Sequence, residues 1–142
     1  MKPIDALQAT LAGEHAAIYV LGVLGAQTSQ SANPALFEAI DAAHSAHRSQ
    51  RDRLIPLVRK SGAEPVAAKA SYVLPNDAAN TARIRGAARQ VEERCTDLYG
   101  QLVENSSGAT RAWAVTGLTA GAVRLLSFGA SAESFPGLTT QP

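Results

Sequence analysis

Apolar residues recur along this chain at alternating steps of three and four, the spacing that lines up side chains on one stripe of an α-helix. The first stripe reads Ile4, Leu7, Leu11, Glu14, Ile18, Leu21, Gly25, and the second Phe37, Ile40, His44, His47, Arg51, Leu54, Val58. A third runs Ile84, Ala88, Val91, Cys95, Leu98, Leu102; Trp113, Thr116, Ala120 and Val123 make a candidate fourth. The pattern predicts four helices. The first runs from about Pro3, a good first-turn residue, to about Gly25. The second follows Asn33-Pro34 and ends near Lys60, with Gly62 just beyond; Pro56 inside it predicts a kink between Asp52 and Pro56. The third is expected from near Asp77 to near Asn105, and the fourth from about Ala109 to Phe128.

The connections constrain how these helices pack. A short Gln/Ser/Asn segment joins the first two, and Asn105-Ser106-Ser107-Gly108 joins the last two; both suit antiparallel hairpins. The link from Ser61 to Asn76 is much longer. A helix of roughly 25 residues is about 37 Å long, and roughly 16 extended residues reach about 53 Å, so this link can run the whole length of a bundle. The predicted fold is an all-α, single-domain four-helix up-down bundle over 1–142, with the ferritin-like topology of two hairpins joined by one long crossover.

The exceptions within the stripes point to chemistry. Glu14 interrupts an apolar stripe, and His44, His47 and Arg51 occupy the middle of the next. A charge at a core position is costly unless it is paired, hydrogen-bonded or bound to a metal. Three arrangements satisfy Glu14, His44, His47 and Arg51. One is a buried network in which Arg51 neutralises Glu14 and a His bonds it. Another is a mononuclear metal site of Glu14, His44 and His47, two imidazoles and a carboxylate. The last is a small polar pocket for an anion held by Arg51 and a protonated His. His15 falls off the stripe and reads as a surface or interface residue; Tyr19 reads as a half-buried core residue.

Composition narrows the function classes. The chain is Ala-rich and poor in aromatics, and its net charge is +1. That balance gives no field to attract nucleic acid, and the cations on the second helix, Arg48, Arg51, Arg53, Arg59 and Lys60, lack aromatic interleaving. They suit a helix C-terminus, and Arg48 can pair with Asp52. The single Cys95 excludes an internal disulfide and fits a reducing compartment. The uncharged run Ala16 to Ala26 is too short to span a bilayer, and Ala112 to Ala132 carries Arg124 among many Thr, Ser and Gly. A cytoplasmic protein with no membrane or nucleic-acid partner is expected. Gly117 and Gly121 read as a close helix contact, and no phosphate loop, Cys-x-x-Cys or nucleophile elbow is present.

Several segments together resemble a known family. They are Leu11-Ala-Gly-Glu14-His15-Ala-Ala-Ile-Tyr19, Ala46-His47-Arg48-Ser-Gln-Arg51-Asp52, Gly62-Ala-Glu-Pro65, Tyr72-Val-Leu-Pro75 and Phe135-Pro-Gly-Leu138. Over nearly the whole chain they resemble an actinobacterial family of unknown function within the ferritin-like superfamily. The resemblance implies a fold and a common ancestor with di-iron carboxylate proteins, and it brings no activity. A di-iron site in such a bundle takes a Glu from each of two helices and a Glu-x-x-His pair from each of the others. Against that pattern this chain offers Glu14, then Asp41-Ala-Ala-His44 with Asp for Glu, then Glu92 on the flank of the third stripe, and no Asp, Glu or His from Ala112 to Ala132. A complete ferroxidase centre is therefore not expected. The expected function is a non-ferroxidase binding or structural module, more a non-enzyme than an enzyme. The alternative is a metal protein or metalloenzyme using Glu14, His44, His47, Asp41 and Glu92 for iron, manganese or zinc, in a mononuclear or dimer-shared site. A homodimer is expected by analogy with other bundles of this type. No small ligand follows from these residues.

Overall fold

The computed structural model describes residues 1–138, and among them are four α-helices and no strand: α1 (Pro3–Gln27), α2 (Pro34–Lys60), α3 (Thr81–Glu104) and α4 (Gly108–Ser127). Both Pro3 and Pro34 open their helices, where a missing backbone N–H costs nothing. Helix α2 runs through Pro56 to Lys60 as one helix. It stops at Gly62, whose φ of 79° is left-handed and whose N–H donates to the Arg59 carbonyl.

Helix α3 begins at Thr81, later than the Asp77 start that the sequence predicts. Two side chains divert the backbone first. Asn76 Oδ1 accepts the Ala78 N–H at 2.8 Å, and Asp77 Oδ1 accepts the Ala79 N–H at 3.2 Å. Such local bonds compete with helix formation. Ala78 between them has a left-handed φ of 49°. Asn80 then caps the helix, its side chain accepting the Arg83 N–H at 3.0 Å.

Helix α1 packs antiparallel to α2 and to α3, and α3 antiparallel to α4, while α2 and α4 touch only lightly. The crossover travels along α1. Gln8 clamps its start, donating to the Glu64 carbonyl at 2.7 Å and accepting the Val66 N–H at 2.9 Å. His15 Nε2 meets the Val66 carbonyl at 3.0 Å, so this off-stripe His anchors the crossover. Tyr72 packs against Tyr19 in a tilted pair, ring centroids 5.6 Å apart and planes 54° apart. The architecture is the predicted one, an up-down four-helix bundle of ferritin-like topology with a long crossover between α2 and α3. By length and composition α1 could cross a membrane; here it is a bundle helix that buries Leu7, Leu11, Leu21 and Leu24.

Two apolar clusters build the core. One gathers Val20, Leu21, Leu24, Ile40, Ile84 and Phe128; the other gathers Leu7, Leu11, Leu54, Val58, Tyr99 and Leu102. Glu14, His47 and Glu92, all fully buried, belong to neither cluster. On α4 the expected stripe is off by one position. Thr116 and Val123 face solvent and Trp113 is half-buried, whereas Ala114, Gly117, Gly121 and Leu125 are buried. The reason is space. A Cβ on Gly117 would lie 2.5 Å from the Tyr99 ring, and one on Gly121 would lie 2.9 Å from Thr96 Oγ1. Gly117→Ala is therefore expected to destabilise the protein. Overpacking costs about 1 to 3 kcal/mol against about 1 kcal/mol gained in helix propensity. Tyr99 is fully buried and has nowhere to swing, so the sum is a loss. Chemical denaturation checks this; an unchanged midpoint would mean that the Tyr99 ring gives way.

Candidate functional site

Four side chains from four helices meet between the two apolar clusters. His47 on α2 lies between two carboxylates, its Nδ1 2.6 Å from Glu14 Oε2 and its Nε2 3.0 Å from Glu92 Oε1. Arg124 on α4 completes the row, its Nε donating to both Glu92 oxygens at 3.1 and 3.2 Å. Its Nη2 reaches Gln50 Oε1 at 3.4 Å. Thr96, one turn after Glu92, donates its hydroxyl to the Glu92 carbonyl at 2.7 Å. With both carboxylates ionised and His47 protonated, the formal charges of Glu14, His47, Glu92 and Arg124 cancel.

The electrostatics favour the charged forms of His47 and Glu92. Burial alone would strip the proton from His47, but its hydrogen bonds to Glu14 and Glu92, with their charges, raise its pKa from 6.5 to about 9. Burial likewise pushes the Glu92 carboxyl up, and His47 and then Arg124 outweigh it, holding Glu92 below the usual carboxylate range. Tyr99 points its hydroxyl toward Glu14; burial, then that carboxylate, drives its pKa far up, so the phenol keeps its proton. Neither the Tyr99 hydroxyl nor Glu14 Oε1 has a hydrogen-bond partner at good geometry among the described residues. Burial and then Glu14 raise the Cys95 thiol well above its ordinary value, so it stays neutral.

Of the residues singled out from the sequence, Glu14 and His47 come together and Glu92 joins them; His44, Arg51 and Asp41 do not. His44 is half-buried over Gly22 in a groove between α1 and α2, beside exposed Asp41. Burial and then the charge of Arg48 lower its pKa, leaving it neutral at pH 7. Arg51 does not answer Glu14. It pairs with its neighbour Asp52 at 2.8 Å, the contact expected of Arg48. The cause is a rotation of α2. Its buried row is Leu36, Ile40, Ala43, His47, Leu54 and Val58, with Gln50 half-buried, so Ala43 and Gln50 stand where His44 and Arg51 were expected.

Arg124, Gln50, Thr96 and Tyr99 were missed. One signal was available for Arg124: it is the single charge from Ala112 to Ala132. Arg111 sits in the first turn of α4, so Arg124 is the one charge in the rest of that helix, and Glu92 across the α3–α4 hairpin is its partner.

The fold and this network define the protein's class, an all-α four-helix bundle with a charge-balanced polar layer through its core. The chain belongs to the family described as "Domain of unknown function (DUF4439)", whose model matches residues 6–140. It is similar to a conserved hypothetical protein, Rv2844, from Mycobacterium tuberculosis, known from a crystal structure. The two share 29% identity over 89% of this chain and 93% of that one, with a TM-score of 0.82. No curated protein matches the chain.

A metal centre of the ferritin-like type is the natural comparison for such a layer, and these residues do not fit one. Both His47 nitrogens are engaged by carboxylates and Glu92 is also held by Arg124, so the donors satisfy one another. Among the described residues no group of three or more His, Cys, Asp or Glu is arranged to hold a metal ion. The His47 imidazolium and the Arg124 guanidinium supply the positive charge that a metal would bring.

Proposed function

We propose that this protein is a non-ferroxidase module of ferritin-like descent, binding or structural in role, in which an internal ion network replaces the metal centre. One observation carries the reading: His47 spans Glu14 and Glu92 with both ring nitrogens, in the middle of the core. A fully paired layer of this kind adds little net stability over an apolar core. What it does is set register. Only one alignment of α1, α2, α3 and α4 pairs all four groups, so sliding or rotating any helix leaves a buried charge alone.

A second reading, a single weakly held cation, draws on Glu14 Oε1, a buried carboxylate oxygen without a partner. Metal analysis of protein purified without a His tag separates the two. The expected result is metal well below one per chain and a thermal melt unchanged by chelator. Uptake of two irons per chain with oxygen consumption would overturn the proposal, and one metal per chain, bound in the wild type and lost in Glu14→Gln, would favour the second reading.

A further inference from the structure

A cavity of about 170 Å³ lies between α1 and α3 beneath the crossover; Cys95 separates it from the charge network, none of whose four side chains lines it. It exists because α1 presents Gly13, Ala16 and Ala17 there, which leave room between the helix backbones. The bundle does fill the gap beside it: Leu98 packs so closely on Gly13 that a methyl at that position would collide with it. The next gap is left open and roofed. Tyr72 and Pro75 of the crossover cover it, and Val20, Val91 and the neutral Cys95 thiol complete an apolar wall. A dry cavity of roughly 150 Å³ accommodates a benzene-sized molecule.

The mouth has one charge. Arg94 lines it, and Gln90, one turn earlier on α3, lies beside it. Arg94 is exposed and, like Arg48, Arg53, Arg59, Arg85 and Arg111, makes no ion pair among the described residues; of these it alone lines the cavity. A guanidinium in fork geometry beside a primary amide suits a carboxylate. We propose that this cavity binds a small monocarboxylate with a compact apolar body of benzoate size, the ring between α1 and α3 and the carboxylate on Arg94. The proposal rests on reading the chain as a binding module and names the ligand class. Metal content bears on the charge network alone and ligand titration on the cavity alone, so failure of one is distinct from failure of the other.

Titration of the isotope-labelled full chain with benzoate, and with benzamide as the uncharged isostere, tests it by amide chemical shifts. Saturable shifts are expected at Gly13, Ala17, Val91 and Tyr72, with benzoate about tenfold tighter at low salt, the effect of one charge-assisted contact. In Arg94→Gln, an exposed position where the fold should be retained, the two ligands should bind alike. Ala16→Leu should fill the cavity and abolish both. Absence of saturable shifts at these residues in the wild type overturns the site. A preference for benzoate that persists in Arg94→Gln overturns the role of Arg94, and with it the carboxylate assignment.

Discussion

His47→Leu is expected to cost about 3 to 5 kcal/mol of unfolding free energy, a drop in Tm on the order of 10 °C for a domain of this size. The loss does not come from packing, since Leu fills nearly the volume of the imidazole. It comes from the carboxylates. Glu14 and Glu92 are both fully buried, and without His47 only Arg124 remains, which reaches Glu92 alone. Glu14 is left with a Tyr99 hydroxyl that does not yet bond it well. Replacing the whole layer with apolar residues, Glu14→Met, His47→Leu, Glu92→Met and Arg124→Met together, should restore most of that loss, because no charge then stays buried alone. Urea denaturation of the single and quadruple variants reads both. A His47→Leu loss below about 1 kcal/mol would show that the carboxylates find protons or water instead, and that His47 is not the keystone of the layer.

Stability should fall as pH rises from about 6.5 to about 9, and His47 should be the cause. Its folded pKa, about 9, lies above the ordinary 6.5. Below pH 6.5 the folded and unfolded chains both carry the proton, and the contribution is complete. Between the two values the unfolded chain gives up its proton while the folded chain keeps it, so stability declines. Linkage puts the total at roughly 3 kcal/mol. Glu92 works in the opposite sense. Its folded pKa is depressed, so its contribution is present above about 4.5 and is lost as pH falls through the folded value. The groups facing His47 are Glu14 and Glu92, with Arg124, Tyr99 and Cys95 next to those carboxylates. Of these, Tyr99 and Cys95 keep their protons across this window. Unfolding free energies measured from pH 5 to pH 8.5, below the range in which the unfolded chain releases the Cys95 and Tyr99 protons, should show the decline in the wild type and not in His47→Leu. An equal slope in both proteins would assign the pH dependence elsewhere.

The two expectations have one origin, a layer in which every charge has its partner on another helix. Such a layer makes the bundle intolerant of partial change while adding little to net stability, which is the behaviour of a register device. It also explains why the surface pair Arg51–Asp52, which looks similar in sequence, carries no such weight. Asp52 is well exposed, and an exposed pair contributes about 0 to 1 kcal/mol.

The sequence by itself determined the number of helices, their order, the hairpins and the long crossover, because helical periodicity and link length are local quantities. It also placed Glu14 and His47 in the core, since they fall on stripes anchored by Leu7, Leu11 and Leu21 and by Ile40, Leu54 and Val58. What it left open was rotation. Along α2, a stripe through Ile40, His47 and Leu54 can lean toward Phe37, His44 and Arg51 or toward Leu36, Ala43 and Gln50; periodicity accepts both. The tertiary arrangement has the second, with α2 packed mainly on α1, Gln50 turned toward Arg124 and His44 in a side groove. On α4, small residues outnumber large ones, so its buried face follows where Tyr99 and Thr96 need room and not where its own apolar residues lie. The partner of Glu14 was undecidable for the same reason. Arg51 and Arg124 are both cations within reach of a core carboxylate in some register, and only the tertiary arrangement put His47 between Glu14 and Glu92 and Arg124 beyond them, where each buried charge is met by its opposite.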